Sequence, residues 1–284
     1  MLGLARYAMK SPMHTGILAA LFAVVPLLYV FSAALVALTT LRHGLTAGTR
    51  VLSLALTGSL VSWVLSGVPL SLSILVLVAL LANVLRATQK WNWTLLFGAV
   101  FGLIFAVIAQ VLFRDQINQF MVSIQQIFTT GQVDSAQWQL FESIKPMVGY
   151  LIAASQLMEA LLSLLLARYW QAGLYNPGGL KAEMHCLRFT WQEASMVFGI
   201  IVLALLFLPG AALLFGIPFI FVGMALMHGI VAKLKLGGQW LVAIYIGSVL
   251  FNQIILPLLI LAALADSFFD FRSRITESTD QNNE

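Results

Sequence analysis

The chain has 284 residues, of which 61% are hydrophobic and only 9% charged, and its formal net charge is +4. A soluble domain carries about 25% charged residues, so too little charge is present to cover a water-facing surface, and lipid must be the main solvent. The basic excess does not point to nucleic acid, because the basic residues sit at the ends of apolar runs and form no binding stripe.

At roughly 20 residues per crossing, the length allows about six to eight helices. The apolar runs predict spans over 14–40, 51–66, 69–87, 93–113, 145–167, 195–209, 211–231 and 239–265. The expected fold class is all-α, a polytopic transmembrane helical bundle. Residues 1–272 form its single domain, and 273–284 form a polar disordered tail. Arg6 and Lys10 ahead of the first run look like the start of a signal peptide. The run continues to Val36 and more spans follow, so a retained segment is expected.

Thirteen of the fifteen basic residues fall in six clusters: Arg6/Lys10, Arg42/Arg50, Arg86/Lys90, Arg168/Lys181/Arg188, Lys233/Lys235 and Arg272/Arg274. The loops near 42–50, 86–92, 168–194 and 232–238 hold nine of the fifteen, and two spans separate each neighbouring pair. These four loops therefore share one face, which the positive-inside rule makes cytoplasmic. The turns Gly67-Val68-Pro69 and Pro209-Gly210 carry no charge, as suits the opposite face. A plain eight-span count puts both terminal clusters on the wrong side. If Pro26 splits 14–40 into a pair of short helices, the N-terminus returns to the cytoplasm. Each half is then about 18–21 Å long, shorter than the ~30 Å core, and must be covered by protein. The hairpin is favoured there over a single kinked helix. At the other end Pro257 leaves only a short apolar stretch, and the side of the C-terminus stays open.

Segment 114–144 lies on the external face. Ile117, Phe120, Met121, Ile124, Ile127 and Phe128 recur at helical spacing and predict an amphipathic helix that Gly131 ends. Asp134 offers a cap for a second short helix carrying Trp138, Leu140 and Phe141. The pair is either an interfacial helix layer or a lid over an external pocket. Trp91, Trp93, Tyr169 and Trp170 sit at span ends and read as interfacial anchors.

Span 145–167 carries the most chemistry. Gly149, Ala153, Gln156, Ala160, Ser163 and Ala167 make a small-and-polar stripe that lets neighbours approach closely. Glu159 lies beside it, near mid-span. Burying its charge costs at least about 2.5 kcal/mol unless it is paired or protonated. It is either a substrate, ion or proton site, or a neutral glutamate bonding across helices. In span 93–113, Gly98, Gly102, Ala106 and Gln110 recur at four-residue steps as a packing face with one amide near its outer end. Asn252 and Gln253 precede Pro257 and either line a cavity or repair the proline kink. Glu159, Gln156, Gln110, Asn252 and Gln253 are the candidate substrate-binding residues. In the cytoplasmic loop Asn176-Pro177-Gly178-Gly179 is a strong turn signal. Tyr169, Trp170, Tyr175 and Asn176 make a compact aromatic surface that a partner could use. His228, near the cytoplasmic end of its span, reads as a satisfied interfacial histidine. Lys145 and Glu142 read as an interfacial ion pair.

No P-loop, paired-histidine, Gly-x-Gly-Asp, Glu-Glu or Gly-x-Ser-Gly pattern occurs, so neither catalysis nor a cofactor is expected. The lone Cys186 and scattered histidines exclude a cysteine-rich metal site.

Two stretches carry a resemblance. Residues 167–179 read ARYWQAGLYNPGG, with Glu183 through Arg188 following, and Leu261 through Arg272 read LAALADSFFDFR. Together they resemble the YybS-like family of bacterial polytopic membrane proteins. That family is distantly similar to the substrate-binding S components of energy-coupling factor transporters. In those, an Ala-x-x-x-Ala motif in a short first helix meets a membrane coupling subunit. Ala19 and Ala23 match that spacing. The resemblance implies a substrate-binding subunit in the bacterial inner membrane whose energy comes from a partner. The alternative from another class is a non-transporting envelope scaffold, acting through contacts with other envelope proteins.

Overall fold

Proline, glycine and capping side chains set the element boundaries. A computed structural model of the chain describes residues 2–130 and 135–275. Among them the secondary structure is helical, with no strand. The short α1 (Leu2–Ala8) precedes α2 (Pro12–Val24), which starts with Ser11 as its cap and Pro12 in its first turn. The chain reverses at Val25–Leu28, where Pro26 cannot continue the helix and Leu27 takes a left-handed φ of 67°. It then enters α3 (Tyr29–His43). The Ser32 hydroxyl donates to the Ala19 carbonyl at 2.7 Å and closes the pair, so the expected N-terminal hairpin is present.

Helix α3 is enclosed: every residue from Ser32 to Leu41 is buried. Such a helix, apolar on all sides, belongs in a bundle centre. With 13 and 15 residues, α2 and α3 extend about 20 and 22 Å. Three long helices follow: α4 (Leu45–Ser66), α5 (Leu70–Thr88) and α6 (Trp91–Leu112). Helix α4 lies so close to α2 that a Cβ at Gly58 would overlap the Ala20 carbonyl oxygen.

On the opposite face, α7 (Arg114–Thr130) and α8 (Ser135–Ile144) form the amphipathic layer. Met121, Phe141 and Val148 are buried together, with Ile117, Ile124, Trp138 and Ile152 packed around them. The expected stop at Gly131 and cap at Asp134 lie outside the described residues. A 3-10 turn, Lys145–Met147, leads into α9 (Val148–Tyr175). This helix runs two turns beyond the predicted span, because no residue breaks it before Asn176-Pro177. The predicted loop 168–194 is therefore a helix end, the short α10 (Gly179–Cys186) and a link. Helix α11 (Trp191–Phe207) starts earlier than predicted, at a Thr190–Glu193 capping box, and α12 (Pro209–Lys233) returns.

The last apolar run also breaks, but at Phe251 and not at Pro257. It gives α13 (Gln239–Leu250) and α14 (Asn252–Phe269), with Pro257 accommodated inside α14. Leu259 meets Gly223 and Arg272 meets Gly229, so α14 runs parallel to α12 and ends where α12 ends. Asp270 caps a final turn, α15 (Phe271–Arg274), so Ser273 and Arg274 are helical and not part of a tail. The rest of the predicted tail, 276–284, lies outside the described residues.

Contacts tie the basic clusters to one face. Leu2 lies against Gly173, and Arg42 sits 4.1 Å over the Tyr175 ring. Arg86 donates to the last carbonyls of α3, at 2.6 Å to Leu41. Lys233 donates to the Arg272 carbonyl at 2.6 Å. Leu2 and Arg272 thus both reach segment 168–194, which Arg42 and Trp91 also meet, and this resolves the conflict in the eight-span count. Among the described residues six helical stretches are long and apolar enough to cross a membrane, or seven if α10 and α11, bent by 70°, count as one. The chain is a multi-pass integral membrane protein.

Candidate functional site

The stripe on α9 organises the bundle interior. Gly149, Ala153, Gln156, Ala160, Ser163 and Ala167 are all buried. Gly98 and Gly102 of α6 lie against Leu157, which places the small face of α6 on α9. Two polar contacts reach the same helix from other elements. Ser73 of α5 donates to the Gln156 amide oxygen at 2.5 Å. Tyr29, the first residue of α3, donates to Glu159 at 3.1 Å.

Glu159 is central in depth. Nine residues, about 14 Å, separate it from Arg168 at the basic face, and eleven, about 17 Å, from Val148. It is only half-buried, and Leu151, Ser155 and Leu162 of the same helix flank it on an exposed stripe. The hairpin tip beside Tyr29 is open too, with Leu27 at 77% exposure. A carboxyl at mid-span, held by one phenol and reachable from one side, can take a proton or bind a hydrogen-bond donor. Further out, the Ser59 and Ser71 hydroxyls and the Gln110 amide nitrogen are buried without a hydrogen-bond partner. Such atoms cost about 1–3 kcal/mol each.

Of the predicted binding residues, Glu159 and Gln156 share the central stretch of α9. Gln110 packs against Gly149, about 10 Å from Gln156 and about 15 Å from Glu159, toward the opposite face. Asn252 and Gln253 do not join them: they are exposed at the tip of the C-terminal hairpin, because the break falls at Phe251.

The predicted contact residues divide likewise. Ala19 and Ala23 are fully buried within the chain's own bundle, since the hairpin packs inward on α4, and offer nothing to another subunit. Trp170 is fully buried because α9 continues through it. Trp91 is buried as well and donates to Glu183 at 3.0 Å, so neither tryptophan is an interfacial anchor. Tyr169, Tyr175 and Asn176 are exposed, as is Trp93. His228 bonds Tyr245 at 2.7 Å, and Glu142 and Lys145 make an exposed ion pair at 4.0 Å.

A second polar assembly lies on the basic face. Arg168 grips Glu183 with two nitrogens. Arg188 pairs with Asp270, and Arg272 with the fully buried Asp266 at 3.3 Å. Arg272 also donates to the carbonyls of His185 and Leu187, both at 2.6 Å, and so fastens the C-terminal helix to the α10–α11 link. Burial alone would raise the Glu183 carboxyl, but hydrogen bonds from Arg168 and Trp91 and the Arg168 charge hold it below the usual carboxylate range. Burial, with the Lys181 and Arg272 charges nearby, holds the His185 imidazole below its usual value. Sequence reasoning missed this assembly. Its signal was the placement of Glu183, Asp266 and Asp270, three of eleven acidic residues, beside basic clusters.

Among the described residues no group of three or more His, Cys, Asp or Glu is placed to hold a metal. No family model matches the chain, and neither does any curated protein or solved structure.

Proposed function

We propose that the chain is a solute-binding subunit of the bacterial cytoplasmic membrane, with Glu159 and Tyr29 at the heart of its site. The observation that carries this reading is the half-buried Glu159 carboxyl at mid-span, hydrogen-bonded by a tyrosine at the open tip of a part-depth hairpin. An ionisable residue within a span is costly and marks a substrate, ion or proton pathway by default. The solute class is a small molecule with a cationic or hydrogen-bond-donating group. Gln156 holds the helix face beside the site through Ser73, and Gln110 offers an unpartnered amide nearer the opposite face. The chain has no nucleotide-binding loop, so a membrane coupling subunit would supply energy. The resemblance to S components supports this only by analogy, and with Ala19 and Ala23 enclosed the coupling contact would lie elsewhere. The scaffold reading keeps only Tyr169, Tyr175 and Asn176 as a surface.

The test is mass spectrometry of small molecules retained by purified protein. A solute recovered from the wild type and reduced about tenfold by Glu159→Ala, the scale of a lost charged hydrogen bond, supports the reading. Recovery of lipid alone from both proteins would sink it. The positive-inside rule places the basic face in the cytoplasm. The exposed Cys186 should then react with a membrane-impermeant thiol reagent in inverted vesicles and not in intact cells.

A further inference from the structure

We propose that a cleft on the basic face binds the phosphate headgroup of an anionic membrane lipid. The cleft has a volume of about 520 Å³ and lies between α1, the end of α9, α10 and α12. That size falls within the range of small-molecule sites. Its lining is mostly apolar, with Leu2, Leu180 and Met184 among it, and Lys181, His185 and His228 add nitrogen.

Two features select an anionic amphiphile. The first is uncompensated positive charge. Lys181 is exposed and has no acidic partner among the described residues. The carboxylates nearby are engaged elsewhere: Glu183 by Arg168 and Trp91, Asp266 by Arg272, and Asp270 by Arg188. The second is depth. His228 lies five residues before Lys233 on α12, about 7–8 Å inside the basic end. The cleft therefore reaches from α10 at the basic end to His228, one to two turns deeper, so one ligand can present phosphate to Lys181 and His185 and lay an acyl chain along the apolar lining. A soluble phosphate ester would leave that apolar lining uncovered.

The experiment compares phosphatidylglycerol with phosphatidylcholine added to the purified full-length protein. Bound lipid is counted by native mass spectrometry, and thermal stability is followed in parallel. The expected result is preferential retention of phosphatidylglycerol, with a higher melting temperature. The double substitution Lys181→Ala/His185→Ala should lower that retention about fivefold, the scale of one lysine acting on an anionic headgroup. Arg50→Ala, exposed on the same face but outside the cleft, should leave it unchanged. Equal retention of both lipids by the wild type would overturn the proposal even if the double variant failed to fold. An equal loss in Arg50→Ala would also overturn it, as would stabilisation by inorganic phosphate matching that of the lipid.

Discussion

The α2–α3 hairpin and the α13–α14 hairpin both leave the basic face and return to it, yet in the first the returning arm α3 is enclosed, while in the second α13 buries no residue and α14 only four. Their side chains explain the difference. In α3 small residues (Ser32, Ala33, Ala34, Ala37, Thr39 and Thr40) let α2, α4, α5 and α9 close in, and ten consecutive residues are buried. Helix α13 presents Trp240, Val242, Tyr245, Ile246, Val249 and Leu250 outward and buries no residue. A helix satisfies its own backbone except at its ends, so the tip of each hairpin needs partners. At the N-terminal tip the neighbour is Glu159 on another helix. At the C-terminal tip it is the exposed pair Asn252 and Gln253. Enclosure thus turns one reversal into a candidate site, while the other remains peripheral and depends on what fastens its end.

That dependence gives the largest expected effect. Asp266→Ala strands the buried Arg272 guanidinium and should destabilise the protein by roughly 3 kcal/mol or more, read as a lower melting temperature in detergent and faster proteolysis after α14. The next test contrasts the hairpins directly. Gly58→Leu forces a side chain into the Ala20 backbone and should cost about 2–3 kcal/mol. Gly247→Leu on α13 meets Ile255 at an ordinary 3.8 Å and should stay within about 0.5 kcal/mol. Equal losses from the two glycine variants would show that α13 is enclosed after all. A smaller contrast comes from two serines. Ser32→Ala removes the bond joining α3 to α2 and should cost about 1 kcal/mol. Ser248→Ala removes only a bond to its own helix, at Ile244, and should be near neutral in the same denaturation assay. The smallest effect is that of acid on Glu183. Its folded-state pKa lies below the unfolded value, so its contribution is complete above the ordinary carboxylate range and fades as pH falls through the folded value. The melting temperature of Glu183→Gln should therefore fall less steeply on acidification than that of the wild type.

Much of this architecture was legible in residue types. The charge clusters marked one face, Pro26 marked the first reversal, and the four-residue steps of Gly98, Gly102 and Ala106 marked a packed helix. These signals are local and have direct physical causes. The break at Phe251 was not legible, because proline was the stronger local signal and α14 absorbs Pro257 six residues later. The span end at Ala167 was misplaced because Arg168 looked like a boundary. It instead reaches sideways from a continuing helix to Glu183, fifteen residues away. The candidate site was half legible. Glu159 stood out as a misplaced charge, but Tyr29 lies 130 residues earlier, and no pattern in the chain couples them.

That separation matters for how the protein is made. Helices α2 and α3 are synthesised before the later helices that enclose them and are too short to cross the bilayer as stable independent units. The surfaces that enclose α3 belong to α4, α5 and α9, and Tyr29 meets Glu159 only after more than half the chain has left the ribosome. Until then Tyr29 has no Glu159 to bond, and α3 lacks the neighbours that enclose it. The order of synthesis and the order of assembly are therefore different, and the centre of the bundle closes late.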